Sequence, residues 1–426
     1  MRRVLLPCLL LAAVLVGALP AGAQAARGAC VAGQPGPSCE VWTGLVVSVN
    51  DGDTIDVDIA GDGTTLARRV RITGIQTMEQ TAYSARRRVG ACHAVEATLR
   101  LEGLIRRGRG AAVRLSAQSR DSMAGNRLLR TVAVRARGRW RDVGTTMVRE
   151  GRALWLPWSA ESAPNAAYRA LTQRAIAARR GLFDPDACGV GPSAASPLAL
   201  WVNWDADGDD RTNPAGEWVK VRNLDPVNPV ALGGWYLRDS GLRRYTFPAA
   251  ATIAPGAAVT VFVGHAGAGE LNWGLDYPVF QNATYDEKRM GDGAYLFDPL
   301  GNVRAQMVYP CGDGCTDPAQ GAVAVSVDPA VRRESVALTN MTAAPVDLEG
   351  YLLKSAPYSY HLGAGAVLPP GATMRVLVGG AREDDTALEK HWGLAWPILR
   401  NDGDVVRLGT YADVTVACAA WGDRSC

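Results

Sequence analysis

The second half of the chain carries one pattern twice. Val219-Lys220-Val221-Arg222-Asn223, followed by Val230-Ala231-Leu232-Gly233-Gly234-Trp235-Tyr236-Leu237, returns as Val336-Ala337-Leu338-Thr339-Asn340, followed by Val346-Asp347-Leu348-Glu349-Gly350-Tyr351-Leu352-Leu353. Ile253-Ala254-Pro255-Gly256 returns as Leu368-Pro369-Pro370-Gly371, and Trp273-Gly274-Leu275 as Trp392-Gly393-Leu394. A period of about 115 residues is the size of a domain, not of a solenoid repeat. Short β-branched runs broken by Pro-Gly turns are the pattern of all-β sandwiches. Two tandem β-domains are therefore expected, at 197–310 and 322–426. A stretch rich in Gly, Pro, Ser and Ala at 185–197 reads as the linker before them.

The chain opens Met1-Arg2-Arg3, continues with an apolar run from Val4 to Leu19 and offers Ala23-Gln24-Ala25 as a cleavage site. Residues 1–25 read as a secretory signal peptide, too short to span a bilayer, and no later stretch is long and apolar enough to do so. The expected product is secreted and extracellular, with no membrane span once the signal is removed. Of nine cysteines, Cys8 leaves with the signal, and an even number in an exported chain points to disulfides. Pairing Cys30 with Cys39, Cys92 with Cys188, Cys311 with Cys315 and Cys418 with Cys426 is the simplest scheme.

The formal charge of +3 hides an asymmetry. Residues 26–192 hold about 25 arginines and no lysine against about 15 carboxylates, roughly +10, while the remainder is acidic. A basic first domain fits a polyanionic partner for that domain alone.

Within it, Val49-Asn50-Asp51-Gly52-Asp53-Thr54-Ile55-Asp56-Val57 reads as a hairpin, with alternating Val47, Val49, Ile55 and Val57 entering and leaving an Asp-Gly-Asp turn. The next strand carries Arg71 and ends at Thr77 and Glu79. Carboxylates, an arginine and a glutamate converging at one end of a small barrel suit attack on a phosphodiester. Oxygen ligands hold a hard cation, a carboxylate activates water and arginine neutralises phosphate. The bland alternative for Arg71 is a surface ion pair with Glu79 or Asp53.

At these residues the sequence resembles the staphylococcal nuclease (thermonuclease-like) family, whose pattern is D-G-D-T, then R-x4-D-T-P-E, then G-R-x-L. The resemblance implies an OB-fold β-barrel with helices (α+β) over 41–188, and a calcium-dependent endonuclease, a hydrolase of DNA and RNA. Another divalent cation is an alternative to Ca²⁺. Carried over position by position, Asp53 is the metal-ligand aspartate, with Asp51 beside it as a tuning carboxylate. Thr77 supplies a main-chain carbonyl to the metal, Arg71 and Arg127 bind phosphate, and Glu79 is the general base. Gln76 stands where the family has its second metal-ligand aspartate, bringing an oxygen but no charge, and Met78 replaces the usual proline. Arg127 follows Gly125-Asn126, one residue more than the motif, and Leu129 favours it over Arg130.

The repeat resembles the lamin-tail domain family, an immunoglobulin-like sandwich, with the strand ending in Asn and the Leu-x-Gly-(Trp/Tyr)-x-Leu strand visible twice. The resemblance implies an accessory or binding module, with a cell-surface or extracellular ligand. Other features carry less. Trp155 and Trp158 are either base-stacking or core residues. Four isolated histidines argue against histidine-based hydrolysis. Asp205-x-Asp207-Gly208-Asp209-Asp210 lacks the rest of an EF-hand loop. The expected whole is an OB-fold followed by two all-β immunoglobulin-like sandwiches, acting as a secreted nuclease. The rival reading is a non-catalytic extracellular nucleic-acid or surface-binding protein on a degenerate barrel.

Overall fold

Alternating burial along the first strands bends one sheet back onto itself. A computed structural model describes residues 26–426 apart from 85, 108–110, 192–194, 207–208, 284–289, 312–316, 331–332 and 364. The expected signal at 1–25 and the partner cysteine Cys315 lie outside the described residues. The strands are β1 (Ser38–Val49), β2 (Thr54–Ile59), β3 (Arg68–Ile72), β4 (Ala112–Ala117) and β5 (Arg127–Ala136). β1 pairs antiparallel with β2 and β2 with β3; β3 runs parallel to β5; β4 pairs antiparallel with both β5 and β1, closing the barrel. That order is the topology of an OB-type barrel, with the sheet closed on itself through β4. Ile55, Val57, Val70, Val113, Leu115 and Val132 fill it and are fully buried.

Helix α1 (Ala94–Arg107) lays Ala94, Ala97, Leu101 and Ile105 on that core, one stripe at helical spacing. α2 (Val143–Arg149) begins at Asp142, whose carboxylate accepts from the Thr145 amide at 2.6 Å. The same carboxylate accepts from the Tyr168 hydroxyl of α3 (Asn165–Ala177) at 2.5 Å, which ties the two helices together. Residues 26–29 form an edge strand on β1, held by the Cys30–Cys39 disulfide. Gln80–Ser84 pairs antiparallel with Arg87–Gly90. The expected bonds Cys92–Cys188 and Cys418–Cys426 are also present.

Two sandwiches of identical strand order follow, which is the structural form of the sequence repeat. In the first, Leu198–Asn203, Trp218–Asn223, Ala258–Phe262 and Leu271–Asn272 face a sheet of Arg244–Thr246, Tyr236–Asp239, Asp292–Phe297 and Val303–Tyr309. The repeated asparagine has the same task in both copies. Asn223 donates to the Asn228 and Ala254 carbonyls, and Asn340 to those of Ala344 and Leu368. Each tie holds a strand end to its turn.

The first sandwich is fused to the barrel rather than strung from it. Leu237, Ala294 and Leu296 point into its own core, while Tyr236, Tyr295, Phe297, Val303 and Val308 join the barrel's apolar cluster. The sheet is buried on both faces. Residues read as a linker lie on this joint too: the Cys188 amide donates to Asn302 Oδ1, and Asn302 Nδ2 donates to the Gly189 carbonyl.

Candidate active site

The β1–β2 turn positions the first carboxylates. The Asn50 amide donates to the Thr54 carbonyl at 3.0 Å and the Asp53 amide to Asp51 Oδ1 at 3.0 Å, so the turn folds on its own polar groups. Gly52 is required by packing: a Cβ there would stand 2.7 Å from Ala97 Cβ of α1 and 2.7 Å from Thr77 Cγ2. The second segment is fixed by a short ladder pairing Ile75–Gln76 with Leu154–Trp155. Gly74 precedes it at φ +78°, where a side chain would also strike the Tyr168 ring.

Together these supports seat Thr77 against Asp53. Asp53 Oδ2 accepts from the Thr77 amide at 2.8 Å and from its hydroxyl at 3.1 Å, and Oδ1 accepts from Thr54 Oγ1 at 2.9 Å. Arg71 Nη1 closes on Oδ1 at 2.8 Å, both side chains being almost wholly buried. Arg71 Nη2 donates to Gln76 Oε1 at 2.6 Å, and Gln76 Nε2 donates to the Thr77 carbonyl at 3.1 Å and to Glu79 Oε1 at 2.9 Å. The amide orientation is fixed by its neighbours, since a flip would set NH₂ against a guanidinium. Five of the seven expected residues thus form one network: Asp53, Arg71, Gln76, Thr77 and Glu79.

Asp51 and Arg127 stand beside it. Burial, and then the adjacent Asp53 carboxylate, push the Asp51 carboxyl up to about 7. Glu79 lies at the exposed rim; burial of its carboxyl and the Asp53 charge raise its pKa, against the opposing pull of Arg71, Gln76 and Arg127. Arg127 opens β5, donates to the Ala124 carbonyl, and faces Glu79 with no ion-pair partner among the described residues. Arg130 is committed elsewhere: buried, it donates to the Ser122, Leu129 and Arg120 carbonyls and lies over the Trp42 ring.

The calcium cradle that the resemblance implies does not fit these residues. Four donors occupy the Asp53 carboxylate, Gln76 turns its oxygen to Arg71, and the Thr77 carbonyl accepts from Gln76. Asp51, Asp53 and Glu79 do not bring three ligand oxygens within 4.8 Å of one another. Gln76, expected as a metal ligand, here bridges Arg71 and Glu79. Arg71 pairs with Asp53, one of the two partners in its alternative reading, but the pair is buried and not on the surface. Among the described residues, the one group with metal-like spacing, Cys92, His93 and Cys188, has its sulfurs in a disulfide.

Trp155 is fully buried with its indole N–H on Asn165, so it is a core residue and not a base-stacking one. Two neighbours were not anticipated. Tyr83, exposed on the strand Gln80–Ser84, has its phenol pKa raised by partial burial and by Glu79. Arg238 reaches the site from the first sandwich and had no signal in the barrel sequence. A cleft of about 690 Å³ lies elsewhere on the barrel, between Trp42, Arg68, Arg120 and Arg130, and none of the seven residues lines it.

Comparison with known families identifies one part of the chain. Residues 202–311 match the Lamin Tail Domain family, so the first sandwich is a lamin tail domain. No curated protein matches the chain.

Proposed function

We propose that the barrel in front of this lamin tail domain is a phosphodiester hydrolase, a secreted nuclease acting on DNA and on RNA through their common backbone. The observation that supports it best is the placement of Glu79. A carboxylate at a solvent-facing rim, with its pKa raised by burial and by Asp53, faces Arg127, which has no carboxylate partner among the described residues, and is linked through Gln76 to Arg71. Glu79 would take a proton from the attacking water. Arg71 and Arg127 would hold the phosphate and the charge that grows on its oxygens, and one such donor is commonly worth about 10²–10³ in rate. Gln76 orients both Glu79 and Arg71. We derive no step through a cation: the Asp53 carboxylate and the Gln76 oxygen are turned to protein donors.

Cleavage of plasmid and single-stranded DNA by the mature protein, with Ca²⁺, with Mg²⁺ and with chelator, tests this against a Glu79→Ala control. Turnover that vanishes in the control supports the enzyme. The second reading, a non-catalytic nucleic-acid binder, is favoured by the Arg71–Asp53 ion pair alone, and binding without cleavage in every condition would establish it. A disulfide-bonded chain in which no described helix is long and apolar enough to cross a membrane is compatible with the proposed secretion.

A further inference from the structure

The strand Tyr236–Asp239 of the lamin tail domain alternates between two cores. Leu237 packs inside the sandwich, while Tyr236 packs on the barrel. Arg238 shares the outward face with Tyr236, since successive side chains of a strand point to opposite faces. Its guanidinium carbon lies 5.1 Å from the Tyr236 ring centre and 5.7 Å from that of Phe297, two rings stacked on each other. Its Nη1 lies 3.9 Å from Met78 Sδ, next to Glu79 in sequence. The methionine at the position where the resembled family has proline is thus the side chain that meets the sandwich.

Among the described residues no carboxylate lies within ion-pair distance of Arg238, and its Nε is buried with no acceptor there. The neighbouring Asp239 directs its charge at Arg243 Nη1, at 2.6 Å. An arginine that is half-buried, stacked on aromatic rings and left without an anion is held at a standing cost that a bound anion relieves. Glu79 is already hydrogen-bonded through Gln76, and it feels Arg71 and Arg127 as well as Arg238. Arg244 extends the basic surface, with its guanidinium 3.7 Å from the Tyr236 ring centre.

We propose that Arg238 is a substrate-positioning residue of the barrel site, holding a backbone phosphate next to the scissile one. The lamin tail domain then completes the nucleic-acid groove instead of serving as a detached module. This inference rests on the nuclease reading of the barrel and adds a contact that no part of the barrel supplies.

The test uses the full-length mature protein with Glu79→Gln, so that a single-stranded DNA oligonucleotide is bound but not consumed, and reads its dissociation constant against salt. Arg238→Met keeps the stem packed on Tyr236 and Phe297 but removes the charge; Arg238→Lys keeps the charge. The expected result for Arg238→Met is about tenfold weaker binding, with the log–log salt slope reduced by about 0.7, the value for one lost single-strand phosphate contact. Arg238→Lys should retain the slope. A merely structural role would lower the unfolding midpoint and leave the slope alone. An unchanged slope in a folded Arg238→Met protein overturns the proposal while leaving the nuclease reading intact. If the parent protein does not bind the oligonucleotide at all, both fall.

Discussion

Asp53→Asn should destabilise the barrel far more than its single-atom change suggests. Both Asp53 oxygens accept, Oδ1 from Arg71 and Thr54 and Oδ2 from the Thr77 amide and hydroxyl. Asparagine must place an NH₂ group against one of these donor sets whichever way it turns. The Arg71 guanidinium, 4% exposed, would keep its charge without a carboxylate. Breaking a buried pair from one side typically costs about 3–5 kcal/mol. With a urea dependence of about 2 kcal/mol per molar, the midpoint should fall by about 1.5–2.5 M. The assay is urea unfolding followed by tryptophan fluorescence, since Trp155 is fully buried in the barrel core. Adding Arg71→Met to Asp53→Asn should recover part of the loss, because an apolar residue of similar size removes the orphaned charge. If Asp53→Asn shifts the midpoint by no more than a surface substitution would, the pair is not the closed, dry contact described here. The reasoning would then be wrong.

Two further substitutions probe supports around the site. Gly52→Ala should cost about 1–3 kcal/mol, because its methyl meets Ala97 and Thr77 at 2.7 Å, and should slow any cleavage by about 10², since it displaces the residue that seats Asp53; unfolding and initial rates read the two effects separately. Glu217 in the lamin tail domain is buried, accepts from the Val279 amide at 2.7 Å, and has its carboxyl pushed up to about 8 by that burial. A carboxyl whose folded pKa exceeds its unfolded value gives stability that is full below about 4.5 and is lost as pH rises through about 8. Stability measured between those values should fall with pH in the native protein and flatten in Glu217→Gln.

The barrel and the sandwich repeat were legible because both rest on local signals. Alternation around Asp51-Gly52-Asp53 marked the hairpin, and repeated Asn223 and Asn340 marked strand ends that each lock a turn. Long-range facts were not legible. Gln76 looked like a weakened ligand because nothing in the sequence says that Arg71 reaches it, five residues away on a returning strand. The pairing of Gln80–Ser84 with Arg87–Gly90 was hidden by polar composition, since both strands are largely exposed. The fusion of barrel to sandwich was invisible because Tyr236, Tyr295 and Phe297 look like ordinary core positions of one domain and are in fact shared by two. Arg238 was missed for the same reason.

The central claim is that Glu79 performs chemistry at this site. The direct measurement is initial cleavage rate against pH, at matched DNA occupancy, for the native protein and Glu79→Gln. The account predicts a native rate that rises with pH through a pKa above the ordinary glutamate value of 4.5, in the direction set by burial and Asp53. In Glu79→Gln, DNA should still bind, the rate should drop by at least about 10², and the acid limb should disappear. Equal rates in the two proteins, or occupancy without cleavage in the native one, would contradict it.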